Sequence, residues 1–296
     1  MKRTLAILLA AVMIMSAVLL ASCSGSNVTT DISGAKSIAD LKGAKIAAQA
    51  GTFHADALSQ IEDVKSSTYP EFADLLTALK SGAIDGYIAE EPTAFAVCLA
   101  DDSLDFLRLV NNSTGFTATD ADTGIAVGLK KGSELKDQIN AVLAEITAEQ
   151  RAELMEMMVK LSNGQEIGEL PIKSETPANP EKTLKVAMEC AYEPFNWTDL
   201  NTPSAGAVEI YDQNGTVRAN SYANGYDIQI AKYIANKLGM KLEVYAIEWD
   251  SLLPAVQAGT VDAIIAGMSP TEERAKEIDF TTVYYSSNLV VIYKKK

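Results

Sequence analysis

Arg274 stands just beyond Ser269-Pro270-Thr271-Glu272, itself preceded by an apolar run that reads as a strand. An arginine in that place could hold a carboxylate through two parallel hydrogen bonds, which a lysine cannot do. Ser269 suits a helix N-cap, Pro270 the first turn, and Glu272 would complete a Ser-x-x-Glu capping box. The start of that helix would add free N–H groups and positive potential for the same anion. The plainer alternative is that Ser269 only caps and Arg274 is a surface charge. Spacing does not choose between them.

Other strand ends carry matching groups. After 184–189 (LKVAME), which ends in the acid Glu189, come Cys190-Ala191-Tyr192-Glu193-Pro194-Phe195-Asn196-Trp197, where two aromatics and an acid crowd together. Packing alone would also account for them. After 45–50 (KIAAQA) come Gly51-Thr52-Phe53-His54; the glycine permits close backbone approach and Thr52 supplies a hydroxyl. After 85–89 come Glu90 and Glu91, which read equally well as a solvated helix start. Trp249 follows 243–247 and could belong to a core. Ligands of open α/β sheets bind beyond the carboxyl ends of strands. Two facing lobes would offer an anion site, a cation partner in Glu90 and aromatic walls in Tyr192 and Trp249. That set is complementary to a free α-amino acid zwitterion.

The elements that must position these groups alternate. In the first half, strands at 44–50, 63–69, 83–89 and 104–110 are separated by helical stretches, one with apolar residues at 72, 75, 76 and 79 and a stop at Gly82. The second half repeats the rhythm with strands at 184–189, 241–247, 260–268 and 287–295 and helices at 226–239 and 249–259. Such alternation predicts α/β lobes with mostly parallel sheets flanked by helices. A duplication supports it: 252–266 (LLPAVQAGTVDAIIA) and 75–89 (LLTALKSGAIDGYIA) agree at seven of fifteen positions without a gap. Nothing in the shared positions is chemical, so they read as the helix–Gly–strand scaffold of each lobe. Residues 139–162 are helical, and 163–182 are a linker without periodicity.

A chain of 296 residues exceeds what one core usually serves, which favours two lobes. Its net charge of −14 argues against nucleic acid as a partner. One histidine and no Cys-x-x-Cys leave no usual zinc ligand set, and a Ser-His-Asp hydrolase could use only His54 without any Gly-x-Ser-x-Gly elbow. No cofactor is expected, and Cys98 and Cys190 read as free thiols rather than a pair. Residues 1–22 have Lys2-Arg3, an apolar run from Leu5 to Leu20, then Ala21-Ser22 and Cys23, the anatomy of an export signal. The cysteine resembles the lipid-modified residue of bacterial lipoproteins; an uncleaved anchor is the alternative. Either way the remainder lies outside the cytoplasm, with 23–37 as a small, polar tether.

The stretches LKVAMECAYEPFNW, GYDIQIAKYIANKLG and WDSLLPAVQAGTVDAIIAGMSPTEERAKEIDFTTVYYSS resemble the first lobe of the family 3 extracellular solute-binding proteins, the amino-acid receptors of ABC importers. SIADLKGAKIAAQAGTFHADAL, ALKSGAIDGYIAEEPTAF and TGIAVGLKKGSELKDQINAVLAEI resemble that family's second lobe and closing helices. The resemblance implies a two-lobed type II periplasmic-binding-protein fold in circularly permuted order. In this order 38–123 is the second lobe, 124–162 a hinge segment with helices returning to the first lobe, 163–182 the link between the family's usual termini, and 183–296 the first lobe. It further implies that one of two interlobe crossovers is cut, leaving the hinge near Thr123–Leu129.

The same resemblance gives roles. Arg274, Ser269 and Thr52 would hold the ligand carboxylate, and Glu90 and the Gly267 carbonyl its ammonium. Tyr192 and Trp249 would wall the side chain, and Glu189 would meet it. Phe53 and His54 depart from the small or polar residues common at their positions. The two acids favour a basic or polar amino acid. Expected partners are the amino acid, permease subunits of an ABC transporter, and the membrane through a lipid on Cys23, with the protein a monomer. Competing readings are a cyclohexadienyl dehydratase-like enzyme using Glu189 or His54 as acid, and a sensing lobe for a separate membrane partner.

Overall fold

The computed structural model describes residues 29–175, 177 and 180–296; the export signal, Cys23 and the start of the tether lie outside the described residues. A 3-10 turn at Ile38–Leu41 leads to β1 (Ile46–Gln49), α1 (Phe53–Ala57), β2 (Ser67–Tyr69), α2 (Phe72–Lys80), β3 (Gly86–Glu90), α3 (Glu91–Ala100) and β4 (Leu104–Leu107). Then come α4 (Asp120–Thr123), β5 (Gly124–Ile125), β6 (Gly128–Leu129), α5 (Leu135–Leu143) and α6 (Ala148–Ser162). After the linker run β7 (Thr183–Met188), β8 (Trp197–Leu200), β9 (Val208–Tyr211), β10 (Val217–Asn224), α7 (Tyr226–Lys237), β11 (Lys241–Ala246) and α8 (Trp249–Ala258). The chain finishes with β12 (Ala263–Ile264), α9 (Glu272–Glu277), β13 (Asp279–Phe280), β14 (Tyr285–Ser286) and β15 (Leu289–Lys294).

Two sheets result. One has the order β2-β1-β3-β15-β4, the other β13-β6-β12-β7-β11-β9-β10-β8. Their centres are parallel, as the strand–helix alternation predicts: β1 with β2 and β3, and β7 with β11 and β12. The flanks correct the expectation of mostly parallel sheets. β10 is antiparallel to both β9 and β8, β6 is antiparallel to β12 and β13, and β15 is antiparallel to both β3 and β4. Antiparallel neighbours need no covering helix between them to announce them in sequence.

The duplicated stretches fold alike, as α2–β3 and α8–β12. Their shared aspartates do one job twice. Asp85 accepts from the backbone N of Lys45 at 2.8 Å, just before β1, and Asp262 accepts from that of Lys185 at 2.8 Å, within β7. The backbones return the bond, Asp85 N to Lys45 O and Asp262 N to Lys185 O. Each pair fixes the register of a parallel strand at its entry. α7 is buried on most sides because it lies under the sheet and against α5 and α6; Ile228, Ile230 and Ile234 are fully buried.

Three boundaries differ from the sequence reading. Ile32 is buried in a cluster with Ile46 and Ile88, and Thr30 N donates to Asp85 at 2.7 Å, so residues from Thr30 onward are packed onto the lobe rather than tethering it. Within 163–182 the described residues form neither helix nor strand, yet Ile172 is buried and Gln150 Nε2 holds Pro171 O at 2.9 Å. Finally, 183–296 is not one lobe. β15, apolar at five of its six residues, leaves the eight-stranded sheet's lobe and is buried between β3 and β4 of the other. It arrives through β14, which pairs antiparallel with β5, Tyr285 opposite Ile125 and Ser286 opposite Gly124. Both interlobe crossovers are therefore present, side by side, and the single hinge near Thr123–Leu129 is corrected to a two-stranded one.

Candidate functional site

The carboxyl ends of β1, β3, β7 and β12 face one another across the gap between lobes. On one side, β1 ends at Gln49 and the chain turns through Gly51 at φ +67°, a left-handed conformation that glycine adopts without strain. That turn sets the Gly51 carbonyl toward the opposite lobe. Thr52 follows as the residue before α1, buried, its hydroxyl donating to Gln49 O at 2.7 Å. Phe53 and His54 open α1, and His54 Nε2 lies 3.1 Å from Glu90 Oε1 at the end of β3. Both are enclosed, His54 at 6% and Glu90 at 4% exposure. His54 Nδ1 and Glu90 Oε2 have no hydrogen-bond partner.

On the facing side, Glu189 follows β7, and its Oε1 accepts from Gln49 Nε2 at 2.9 Å while Oε2 is buried without a partner. Burial pushes its carboxyl up to about 7; the Gln49 bond opposes this, and Glu71, Glu248 and Asp250 add to it. Tyr192 stacks on Phe72 of the other lobe, ring centroids 4.2 Å apart, and its hydroxyl is also unpartnered. Gly267, at φ +62°, brings the backbone against the Tyr192 ring, where an added Cβ would stand 3.1 Å from it. Trp249 begins α8 and donates from Nε1 to Gly51 O at 3.3 Å.

Arg274 reaches the cleft from α9. Its Nη1 donates to Ser269 O at 2.9 Å and its Nη2 to Gly51 O at 2.8 Å, so one guanidinium touches both lobes. It lies over the Trp249 ring, 5.1 Å from the centroid. Burial pulls its pKa down to about 10, opposed by Asp56, and it stays charged at neutral pH. The expected cap is corrected. Thr271, not Ser269, is the N-cap of α9, accepting from Arg274 N, and no Ser269–Glu272 capping box forms. Pro270 lies before the helix, which begins two residues later, at Glu272. Ser269 is thereby left buried in the cleft wall.

All ten expected positions, Thr52, Phe53, His54, Glu90, Glu189, Tyr192, Trp249, Gly267, Ser269 and Arg274, line one narrow cavity between the lobes. Gln49, Phe72 and Ala266 line it too and were missed. Gln49 hides in an alanine-rich strand, and Phe72 looks like the first core residue of a helix; only the closing of two lobes brings them here. Larger grooves exist, one of about 750 Å³ beside Lys232 and Met240. Yet of the six buried side-chain atoms without partners among the described residues, four belong to the interlobe cavity. Such atoms await a polar ligand.

A further layer holds the wall in place. Asp227, wholly buried in α7, accepts from Tyr284 Oη at 2.7 Å and from Asn196 Nδ2 at 3.0 Å; Asn196 Oδ1 in turn takes Cys190 N at 2.8 Å. Burial raises the Asp227 carboxyl to about 7 despite these bonds. One side chain thus ties the strand before the hinge to the loop that carries Tyr192. The thiols of Cys98 and Cys190 are free.

Residues 205–296 match the bacterial extracellular solute-binding proteins, family 3. The chain is 41% identical over 71 residues to the arginine-binding extracellular protein ArtP of Bacillus subtilis (strain 168), covering 24% of this chain and 28% of that one. It is 36% identical over 114 residues to ABC transporter arginine-binding protein 1 of Escherichia coli (strain K12), covering 38% and 47%. Domain 1 of TmArgBP, in the crystal structure of its arginine-bound Phe57Trp mutant, shares 29% identity over 38% of this chain and 78% of that one, with a TM-score of 0.27. The matches with the two curated proteins span less than half of either one's length. Over residues 205–296 the chain is similar to the bacterial extracellular solute-binding proteins, family 3.

Proposed function

We propose that this protein captures a free amino acid with a basic or polar side chain between its lobes and presents it to the permease of an ABC importer. The observation that carries the reading is the meeting of Arg274 and Glu90, from opposite lobes, in one cavity with unpartnered polar atoms. Arg274, with Thr52 and Ser269, takes the α-carboxylate. Glu90 and the Gly267 carbonyl take the α-ammonium. Tyr192, Trp249 and Phe53 flank the side chain, whose polar end meets Glu189, with His54 holding Glu90. Relatives named for arginine, histidine and glutamine support this class of ligand. Closure of hinged lobes around the solute is the mechanism.

The family's segments run here in permuted order, and the position of β15 supports that reading. The last strand sits between β3 and β4, and Lys296 Nζ lies 3.8 Å from Asp31 Oδ2. The chain is anchored outside the cytoplasm by a lipid on Cys23, acts as a monomer and performs no catalysis. The raised carboxyl of Glu189 favours one second reading, acid-assisted elimination from a cyclohexadienyl acid, which turnover of such a compound would reveal.

Calorimetric titration of the chain from residue 24 onward against the common amino acids tests the main reading. Tight binding of one or a few is expected, with Arg274→Ala losing about 2 to 5 kcal/mol because it strips a buried carboxylate of its partner. A folded protein that binds none of them would overturn it.

A further inference from the structure

The interlobe cavity has a neighbour. Beyond Glu189 and Trp249, which line both spaces, lies an open groove of about 890 Å³ between Pro70 and Glu71 of one lobe and Asp212, Arg218 and Glu248 of the other. One side chain spans the boundary. Gln49, 2% exposed, donates through Nε2 to Glu189 Oε1 at 2.9 Å and to Pro70 O at 3.0 Å. Both amide hydrogens are therefore used, and the bond to Glu189 joins the lobes at the end of the cavity.

This arrangement treats the two oxygens of Glu189 differently. Oε2 is buried and free to meet a ligand side chain that ends within the cavity. Oε1 is occupied. A longer side chain can continue outward only by taking Oε1 from Gln49 and moving the amide aside. Doing so strands a buried amide unless it finds another partner, which disfavours the longer ligand. Removing the amide would abolish that cost and join the cavity to the groove.

We propose that Gln49 is a specificity-determining residue, its amide forming a bar across the lobes that sets the longest side chain the cleft accepts. The proposal rests on the amino-acid reading above and narrows it to ligands whose cationic side chain reaches Glu189. The groove favours cationic or neutral extensions, since Glu71, Asp212 and Glu248 line it against Arg218, whose Nη2 is already bonded to Ala246 O at 3.1 Å.

The test compares L-arginine with Nω-propyl-L-arginine, which keeps the cation and lengthens the side chain. Calorimetry would be run on the unaltered protein, on Gln49→Ala, and on Gln49→Asn, a shorter amide at the same position, with circular dichroism checking that each is folded. The unaltered protein is expected to prefer arginine by about tenfold or more, and Gln49→Ala to narrow the preference to about threefold or less. Gln49→Asn, unable to span the gap, should follow Gln49→Ala. An unchanged preference in whichever variant folds would overturn the bar. Binding of another amino acid with neither probe bound would overturn the bar and leave the amino-acid reading intact. Failure to bind any amino acid would overturn both.

Discussion

Glu189 shows how much a single side chain's surroundings matter. Its carboxyl has a reference pKa of 4.5, pushed up to about 7 in the folded protein chiefly by burial. The folded state therefore holds this proton more tightly than the unfolded chain does. Stability from this group is complete below 4.5 and falls as pH rises through the window from 4.5 to about 7. Glu189→Gln, which keeps an oxygen for Gln49 but cannot ionise, should be more stable than the native protein at about pH 8, by on the order of 3 kcal/mol. The gap should close as pH drops below the window. Urea midpoints across that range would check it, and a constant gap would contradict the burial argument. Residue types and their place after strands made Arg274, Glu90, Thr52 and Tyr192 legible as a set. Asp227 and Gln49 were not legible: one sits in the first turn of an apolar helix and one closes an alanine-rich strand, and each gains its role only from partners far away in sequence. Ser269 misled because two hydroxyl residues flank Pro270, and the rule placing proline in the first turn chose the earlier one.

At the scale of elements, the duplicated helix–Gly–strand was readable because seven shared residues preserve one packing pattern. The structure adds what its aspartates are for. Asp85 is buried and satisfies the backbone N–H groups of Thr30 and Lys45. Asp85→Ala would leave two part-buried donors without their carboxylate, so a loss of about 1 kcal/mol is expected in denaturant unfolding. An effect near zero would mean that water or a local shift replaces the carboxylate. The elements that escaped the sequence are the short ones. β5, β6, β13 and β14 are two residues each, too short for periodicity to register. β15 was visible as a strand, but its membership in the other lobe's sheet was not. An apolar strand says that it is buried, not against what.

For the whole molecule, strand order and the neighbourhood of Asp31 and Lys296 bear on the permuted reading. A chain rearranged as 183–296 followed by 29–162 would join residues already adjacent in space and open the link at 163–182 instead. It should fold and bind the same amino acid with affinity within about threefold, since no cavity residue or hinge strand is disturbed. A rearranged chain that folds but binds nothing would count against the reading.

The crossovers matter for motion in a way that chain order does not. β5 and β14 are bonded to each other as an antiparallel ribbon. A lone connector would let one lobe swivel freely about backbone bonds, and the lobes could meet in many orientations. A ribbon resists stretching and sideways shear, yet bends across its thin direction. In the proposed closure the lobes would be held to a clamshell path, and Gly51 and Arg274 would return to the same encounter without having to search for it.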